Sequence, residues 1–423
     1  MTSTGPVPET STAPARTPGA PARDAGTVVV VGIGAAGWAG LADPSRAELR
    51  AAEVVLGSAR QLAMLPDDVP GERIGWPTPL LRALPDLLAA HRERRVCVLA
   101  SGDPMFHGIG ATLARVLGAD RLRVLPHPSS VSLAAARLGW PLAQVDVLSL
   151  VTAPLAELRP LLHDGRRILV LSAGADTPAR VAGLLSECGF PDSRVTVLSQ
   201  LDGPAESVVT ARAGHWPEQP VDPLNVVAVE CAGGPAPAIV PGLRDDRYDN
   251  DGQLTKREVR AVALSALGPR PGELLWDVGA GAGSIAIEWM RSHRSCRAIA
   301  VESEPDRAAR ITANAARLGV PALRVVPGRA PDALAGLPTP AAVFVGGGLT
   351  RDGVLDTCLD ALPAGGRLVA TAVTVESEAV LAAAYARLGG DLTRIAVHRA
   401  SPVGTFTGWR AMMPVTLWSV VKP

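Results

Sequence analysis

The chain has 423 residues, 47% of them hydrophobic, with 41 acidic and 41 basic side chains. That length is too great for one ordinary core and predicts two domains, while a net charge of zero argues against a global field that would recruit nucleic acid or a membrane surface. The longest apolar runs fall well short of the roughly 20 residues that cross a bilayer.

The first 26 residues are rich in Pro, Ala, Thr and Ser and lack the apolar stretch of a secretory signal. We predict a disordered tail here. From residue 27 to residue 231, β-branched runs alternate with stretches of helical spacing, which predicts an α/β domain. Ser45 and Glu48 predict a capping box for a helix that begins at Arg46. The predicted strands are residues 28–31, 54–56, 96–99, 168–171, 195–198 and 226–229.

A first glycine-rich loop, VVVVGIGAAG, occupies residues 28–37 and matches the dinucleotide pattern G-x-G-x-x-G. Its context argues against a nicotinamide site. That site needs an acid at the end of the second strand, whereas Glu53 precedes the strand at residues 54–56. Pro44 also interrupts the segment where the first helix of such a site should run.

Two further motifs follow this loop: SGDPMFHGIG at residues 101–110 and PHPSSVSLAA at residues 126–135. Together the three motifs resemble the tetrapyrrole (precorrin) methylase family over about 200 residues. The resemblance implies a fold of two α/β subdomains spanning residues 27–231, with S-adenosylmethionine as cofactor. It implies that the cofactor is lined by Gly32, Gly34, Ser101, Asp103, Pro104, Gly108, Ser129 and Ser130.

A Pro- and Gly-rich break at residues 232–247 is the predicted linker. A second glycine loop follows, LLWDVGAGAG at residues 274–283, whose third glycine comes one residue too early for the dinucleotide pattern. The next predicted strand, residues 298–301, ends on Glu302, a carboxylate suited to ribose hydroxyls. The strand at residues 342–345 ends in three glycines, which leave room for a large ligand.

The order of these strand ends resembles the class I S-adenosylmethionine-dependent methyltransferases, which implies a Rossmann-like fold over residues 248–423. The TKREVR segment at residues 255–260 resembles the entry motif of two-domain precorrin methyltransferases. These resemblances imply that the second cofactor contacts Thr255, Gly279, Ala280, Gly281, Ala282, Gly283, Glu302 and Ala330.

The fusion of the two halves is itself similar to two-domain precorrin methyltransferases of the cobalamin (corrin) pathway. The resemblance implies methylation of a precorrin at meso carbon 5 by the N-terminal half. It implies methylation at carbon 15, with loss of CO2 from the ring C acetate, by the C-terminal half. It also implies two S-adenosylmethionine sites and a homo-oligomer built through the C-terminal half.

The sequence contains no Ser/His/Asp or paired-carboxylate constellation, so we expect catalysis by positioning in a water-poor cleft. The substrate carries many carboxylates, which arginine recognises well. Candidate substrate residues are Arg257, Arg329, Arg351, Arg399 and Arg410, with Gly346 and Gly347 leaving room for the ligand. The five cysteines, Cys97, Cys188, Cys231, Cys296 and Cys358, form no C-x-x-C pair, which argues against a metal site and favours the cytoplasm.

Three alternatives stay open. The substrate could be another tetrapyrrole intermediate, including a cobalt-bearing one. A chain of a different class would be an NAD(P) oxidoreductase. A third would be a binding protein whose N-terminal half has lost activity and only docks substrate or partners. Ala36 stands near the position where family members often carry Asp, and residues 149–153 read SLVTA where Ser-Leu-His-Gly-Arg is common.

Overall fold

The computed structural model describes residues 26–423 except residues 236, 237 and 239. The predicted disordered tail, apart from Gly26, and three positions of the predicted linker therefore lie outside the described residues. The chain divides into two compact units. One comprises residues 26–139 together with Gln200–Ser207, and the other comprises Trp140–Ser199 and Val208–Pro423.

The first unit is built on a five-stranded parallel sheet in the order β3-β2-β4-β1-β5. Its strands are β1 Val28–Ile33, β2 Val54–Gly57, β3 Glu72–Gly75, β4 Val96–Ser101 and β5 Leu122–Leu125. Its helices are α1 Asp43–Ala51, α2 Ala59–Ala63, α3 Leu80–Ala90, α4 Ile109–Leu117 and α5 Ser130–Leu138. All six residues of β1 are buried, as expected of a central parallel strand covered on both faces.

The helix predicted to start at Arg46 begins instead at Asp43, and the predicted capping box is wrong. Pro44 lies in the first turn, where a missing N–H costs nothing. The carboxylate of Glu48 is buried and accepts a hydrogen bond from Arg123 at 2.8 Å, so it is not available to cap the helix.

The second unit contains a five-stranded mixed sheet in the order β6-β7-β10-β8-β9. Strands β7 and β10 are antiparallel, as are β10 and β8, whereas β6 and β7 are parallel. Its elements are β6 Asp146–Ser149, β7 Arg167–Leu171, α6 Thr177–Glu187, β8 Arg194–Ser199, β9 Ser207–Arg212 and β10 Asn225–Glu230.

The same unit contains a larger, seven-stranded sheet in the order β13-β12-β11-β14-β15-β19-β16. Its strands are β11 Leu274–Val278, β12 Arg297–Glu302, β13 Arg324–Pro327, β14 Ala342–Val345, β15 Arg367–Ala372, β16 Asp391–Ile395 and β19 Val415–Val421. Its helices are α7 Arg257–Leu267, α8 Ser284–Ser292, α9 Pro305–Arg317, α10 Val354–Ala361 and α11 Val375–Leu388. A separate hairpin joins β17 His398–Val403 to β18 Phe406–Ala411.

The first five strands of this order are parallel, and β19 pairs antiparallel with both β15 and β16. The chain runs outward from β11 through β12 to β13, then returns to β14 on the other side of β11. This reversal is a topological switch point, where open α/β sheets bind ligands beyond the carboxyl ends of their strands. The predicted strand ends at Gly279, Glu302 and Gly346 therefore meet at one edge.

Candidate active site

The loop after β11 approaches its neighbours so closely that side chains are excluded. Gly279, Gly281 and Gly283 have φ values of 69°, 58° and 76°, in the left-handed region that glycine adopts without strain. A methyl group at Gly279 would lie 2.8 Å from the Cα atom of Gly347. The loop thus leaves exposed backbone at the start of α8, where a nucleoside can approach.

Glu302 closes this loop from the end of β12. Its buried carboxylate accepts hydrogen bonds from the backbone N–H of Gly281 (Oε2, 2.8 Å) and of Glu304 (Oε1, 3.0 Å). Each carboxylate oxygen has a second lone pair. The side chain is therefore held in place and retains acceptor capacity for a pair of hydroxyl groups.

Asp277 lies beneath the loop and is 1% exposed. Its Oδ2 accepts a hydrogen bond from the N–H of Ala286 at 3.0 Å, while its Oδ1 has no hydrogen-bond partner among the described residues. Burial raises the pKa of this carboxyl to about 7; the Ala286 hydrogen bond opposes the rise and the charge of Glu302 adds to it. The loop thus rests on an acid that titrates near neutrality.

A cleft of about 1260 Å³ opens at this edge of the sheet. Of the residues predicted to bind the second cofactor, Thr255, Gly279, Ala280, Gly281, Glu302 and Ala330 line it. Ala282 and Gly283 do not: Ala282 is buried in the core, and a methyl group at Gly283 would lie 2.8 Å from Ile311. Gly346 and Gly347, predicted to leave room for substrate, also line the cleft.

Four of the five arginines proposed for the substrate lie in the cleft wall, namely Arg329, Arg351, Arg399 and Arg410. Arg351 pairs with Asp332 at 3.2 Å, and Arg399 pairs with Glu258 at 2.6 Å. The fifth, Arg257, is exposed outside the cleft wall, with its side chain next to Gly242.

Several lining residues were not selected from the sequence. Lys256 lies within the TKREVR motif beside the predicted Thr255, whereas Arg307, which extends from α9 to pair with Asp251 at 2.8 Å, belongs to no motif. Others come from the ends of β15 and β16, from the β17–β18 hairpin and from the start of β19, all far beyond the glycine loop in sequence. They are Thr371, Val373, Ile395, Val397, Ser401, Ala411, Met412, Met413 and Val415.

The first unit also brings its predicted cofactor residues to one sheet edge. Strands β4 and β5 flank β1 on either side, so the loops that follow all three strands are neighbours. The N–H of Gly102 donates to the carbonyl of Ile33 at 3.1 Å, and a methyl group at Gly32 would overlap the carbonyl oxygen of Gly102. A methyl group at Gly34 would lie 2.9 Å from the ring of His127, a contact residue that the motif analysis did not select.

The polar predicted residues of this edge organise its loops. The Ser101 hydroxyl accepts a hydrogen bond from Gln61 at 3.1 Å, and the Asp103 carboxylate accepts one from the N–H of Met105 at 2.9 Å. Ser129 caps α5, which begins at Ser130, by accepting from the N–H of Ser132 at 3.0 Å. Gly108 immediately precedes α4, and a methyl group there would lie 2.6 Å from the carbonyl oxygen of Pro104.

Within the described ranges, no group of three or more His, Cys, Asp or Glu side chains is arranged to hold a metal ion. Across the same part of the chain, no helix is both long and apolar enough to cross a membrane.

Comparison with known proteins gives matches for both halves. The family model described as Tetrapyrrole (Corrin/Porphyrin) Methylases matches residues 27–216, and the model described as Precorrin methyltransferase domain matches residues 246–422. A protein of Sinorhizobium sp named precorrin-6Y C(5,15)-methyltransferase (decarboxylating) is 50% identical over 398 residues, covering 93% of this chain and 96% of that protein. A Mycobacterium tuberculosis (strain ATCC 25618 / H37Rv) protein of the same name is 49% identical, covering 93% and 100%.

A shorter relative matches part of the chain. It is named probable cobalt-precorrin-6B C(15)-methyltransferase (decarboxylating), comes from Pyrobaculum calidifontis, and is 37% identical over 187 residues, covering 42% of this chain and 95% of that protein.

The two matched models and the two glycine-bearing sheet edges define a methyltransferase with two domains of different fold. Half of the aligned residues are identical to a relative aligned over nearly its whole length. The chain belongs to the precorrin-6Y C(5,15)-methyltransferase (decarboxylating) family.

Proposed function

We propose that this chain methylates a precorrin at meso carbons 5 and 15 and removes CO2 from the ring C acetate, using S-adenosylmethionine at two sites. Carbon 5 methylation is assigned to residues 27–231, and carbon 15 methylation with decarboxylation is assigned to residues 248–423. The observation that carries the proposal is the cleft beyond β11, which is lined by a glycine loop, a buried acid and three cations that have no carboxylate partner among the described residues.

The residues of this cleft fit a sulfonium nucleoside. Glycines at positions 279 and 281 leave the backbone bare where the ligand must approach, and the Glu302 carboxylate keeps free lone pairs for ribose hydroxyls. Ala330 and Gly328, in the loop after β13, line the cleft beside them. When bound, S-adenosylmethionine supplies an electrophilic methyl group, so the chain needs no metal or acid to activate it.

In the methyl transfers the chain positions the donor and the acceptor and transfers no proton. Methyl transfer is an in-line displacement, and a rigid loop that fixes the donor against a flat acceptor removes most of the entropic barrier. Val278, Val301 and Val259 form apolar parts of the cleft wall, which exclude water from the reacting centre.

Three cations in the cleft wall suit the carboxylates of the substrate. Lys256, Arg329 and Arg410 have no carboxylate partner among the described residues, whereas Arg351 and Arg399 each already have one. A free guanidinium forms a planar bidentate pair with a carboxylate. We therefore assign substrate binding first to Lys256, Arg329 and Arg410, and expect a smaller contribution from Arg257, which lies outside the cleft wall.

Decarboxylation needs an electron sink, and the conjugated macrocycle itself supplies one. The bond between the acetate methylene and its carboxyl carbon breaks, CO2 leaves, the electron pair is delocalised into the ring, and the methylene carbon takes up a proton from solvent. The cleft cations hold the remaining carboxylates, so that the reacting arm keeps a fixed position over the donor.

The shorter Pyrobaculum relative is named for carbon 15 methylation with decarboxylation alone. This supports the assignment of the two methylations to different halves of the chain.

The proposal includes a cytoplasmic location and a homo-oligomeric assembly. All five cysteines are free thiols, which supports a reducing compartment.

Mass analysis of the tetrapyrrole product tests the proposed reaction. We expect two methyl gains and one CO2 loss when purified chain is incubated with the precorrin and S-adenosylmethionine. The same assay with a cobalt-bearing substrate tests that alternative directly. Isothermal titration with S-adenosylhomocysteine should give two sites per chain; one site would indicate that the N-terminal half no longer binds the cofactor and only docks substrate or partners, and none would contradict the proposal.

A further inference from the structure

We propose that Asn314 and Arg260 are positioning residues that set the cofactor affinity of the C-terminal cleft by anchoring residues 249–256, here called the cover segment. The proposal rests on the assignment of this cleft to S-adenosylmethionine. Neither side chain lines the cleft, and both are 0% exposed. They act through the backbone that they hold.

The cover segment lies across the glycine loop. Its residues 252–256 line the cleft together with the end of β11 and the glycine loop. A methyl group at Gly281 would lie 3.0 Å from the carbonyl oxygen of Gln253, so the two backbones are in close contact. Any displacement of the segment would therefore remove one wall of the cofactor site.

Asn314, on α9, anchors the beginning of the cover segment. Its Oδ1 accepts from the N–H of Asp249 at 3.0 Å, and its Nδ2 donates to the carbonyl of Asp249 at 2.9 Å. The same Nδ2 donates to the carbonyl of Ala282 at 3.1 Å. One buried amide thus bonds the cover segment and the glycine loop together.

Arg260, on α7, anchors the other end. Its Nη1 donates to the carbonyl of Thr255 at 2.6 Å, and its Nε donates to Glu288 at 2.6 Å. Its Nη2 donates to the carbonyl of Leu243, and Glu288 accepts from the N–H groups of Gly242 and Leu243. Glu288 and the carbonyl of Leu243 therefore hold the guanidinium in place, and the carbonyl of Thr255 can bond to it in one position only.

Between these anchors the cover segment is held by ion pairs nearer the surface. Asp251 pairs with Arg307 at 2.8 Å and with Arg310 at 3.4 Å, and Arg307 itself lines the cleft. The Arg307 side chain holds the pKa of Asp251 at about 2, so this carboxylate stays charged at neutral pH. The middle of the segment is thus linked directly to a residue of the cleft wall.

A buried arginine–glutamate pair gives little net stability, because the desolvation of both charges offsets their attraction. The main effect of Arg260 is therefore geometric: its hydrogen bond to the carbonyl of Thr255 fixes the backbone next to the cleft. A second arginine–glutamate pair, whose glutamate is partly buried, provides the control. Arg367 pairs with Glu273 and donates to the carbonyl of Leu267 at 2.7 Å, and neither member of the pair lines the cleft.

The test is amide hydrogen exchange of the full chain, read by mass spectrometry at increasing S-adenosylhomocysteine concentration. Peptides over residues 249–256 and 274–283 report this cleft separately from the N-terminal site. For Asn314→Asp and Arg260→Met we expect faster exchange in the cover segment. We also expect a roughly ten- to hundredfold weaker cofactor affinity, which corresponds to the loss of one or two buried hydrogen bonds. Arg367→Met should lower the thermal midpoint without changing that affinity.

Wild-type affinity in both Asn314→Asp and Arg260→Met would overturn the positioning role, as would an equal loss of affinity in Arg367→Met. If the buried variants fail to fold, Asp251→Asn removes only the exposed ion pairs and should still accelerate exchange and weaken binding severalfold; unchanged exchange and affinity in that variant would also contradict the proposal. Absence of protection in the wild-type chain would instead contradict the cofactor assignment, which keeps the two failures distinct.

Discussion

The backbone N–H of Gly281 donates to Oε2 of Glu302 at 2.8 Å, which joins the glycine loop to the end of the neighbouring strand. The loop and the acid therefore cannot be considered separate motifs. Because the glycine loop helps to orient the carboxylate, changes in either partner should alter cofactor binding before they alter the fold.

Glu302→Gln tests this relationship. The variant replaces one carboxylate oxygen by an amide that cannot accept the Gly281 N–H or a ribose hydroxyl, so one donor is left without a partner. We expect S-adenosylhomocysteine to bind the C-terminal site roughly ten- to hundredfold more weakly in titration calorimetry. Glu304→Gln, on the exposed neighbour, is the control and should bind normally. Equal affinity in Glu302→Gln and wild type would contradict the prediction.

Comparing Gly279→Ala with Gly272→Ala separates the energetic cost of a close contact from the cost of backbone strain. Gly279 and Gly272 both have positive φ, but a methyl group at Gly279 would meet Gly347 at 2.8 Å, whereas one at Gly272 would meet nothing within 4 Å. Gly272→Ala should cost about 1 kcal/mol of unfolding free energy, and Gly279→Ala should cost about 1–3 kcal/mol more. Denaturant unfolding gives both values, and similar losses would show that the contact with Gly347 is unimportant.

Arg329→Ala and Arg410→Ala should raise the precorrin KM roughly tenfold each, because each removes a charge-assisted bond to a substrate carboxylate. The KM for S-adenosylmethionine should not change. Arg297, exposed at the opposite end of β12 from Glu302, provides the control Arg297→Ala. An unchanged precorrin KM in both cleft variants would exclude these arginines from substrate recognition.

Asp277 should make the C-terminal half less stable as pH rises. Its folded-state pKa, about 7, lies above the ordinary unfolded value near 4. The folded chain therefore binds this proton more tightly, and the resulting stability is complete below pH ~4 and is lost as pH rises to about 7.

Asp277→Asn removes this titration while keeping an acceptor for the N–H of Ala286. Relative to wild type, the variant should gain about 2–3 kcal/mol of unfolding free energy between pH 5 and pH 8. Denaturant titrations of both proteins at the two pH values provide the measurement. If the difference in unfolding free energy between the two proteins is the same at pH 5 and pH 8, Asp277 is charged in the folded chain throughout this range.

Gly32→Ala should disable the first unit selectively. The added methyl group would overlap the carbonyl oxygen of Gly102, so the loops after β1 and β4 must separate. Hydrogen exchange should show lost cofactor protection at residues 28–37, with normal protection at residues 274–283. Gly75→Ala, at the end of β3, meets nothing within 4 Å and serves as the control. Loss of cofactor protection at both sites in Gly32→Ala would contradict independent cofactor binding.

The sequence alone determined the parallel strands and the residues at their carboxyl ends. The runs that begin at Val28 and Leu274 are strands because near-continuous apolar stretches are what doubly covered parallel strands require. Glycine and acid positions were also visible, because close backbone approach and ribose binding each demand a particular residue type. Since parallel strands bring their carboxyl ends to one edge, the order of the motifs placed them together.

The tertiary structure decided which charged side chains reach the cleft. Arg257 belongs to a recognisable motif but lies outside the cleft wall, while Arg410 reaches the cleft from a hairpin with no motif at all. Asn314 anchors Asp249 across 65 positions of sequence, and nothing local to either residue indicates the other. Strand pattern and glycine placement are local requirements of the backbone, whereas side-chain partners across such separations exist only once the chain has packed.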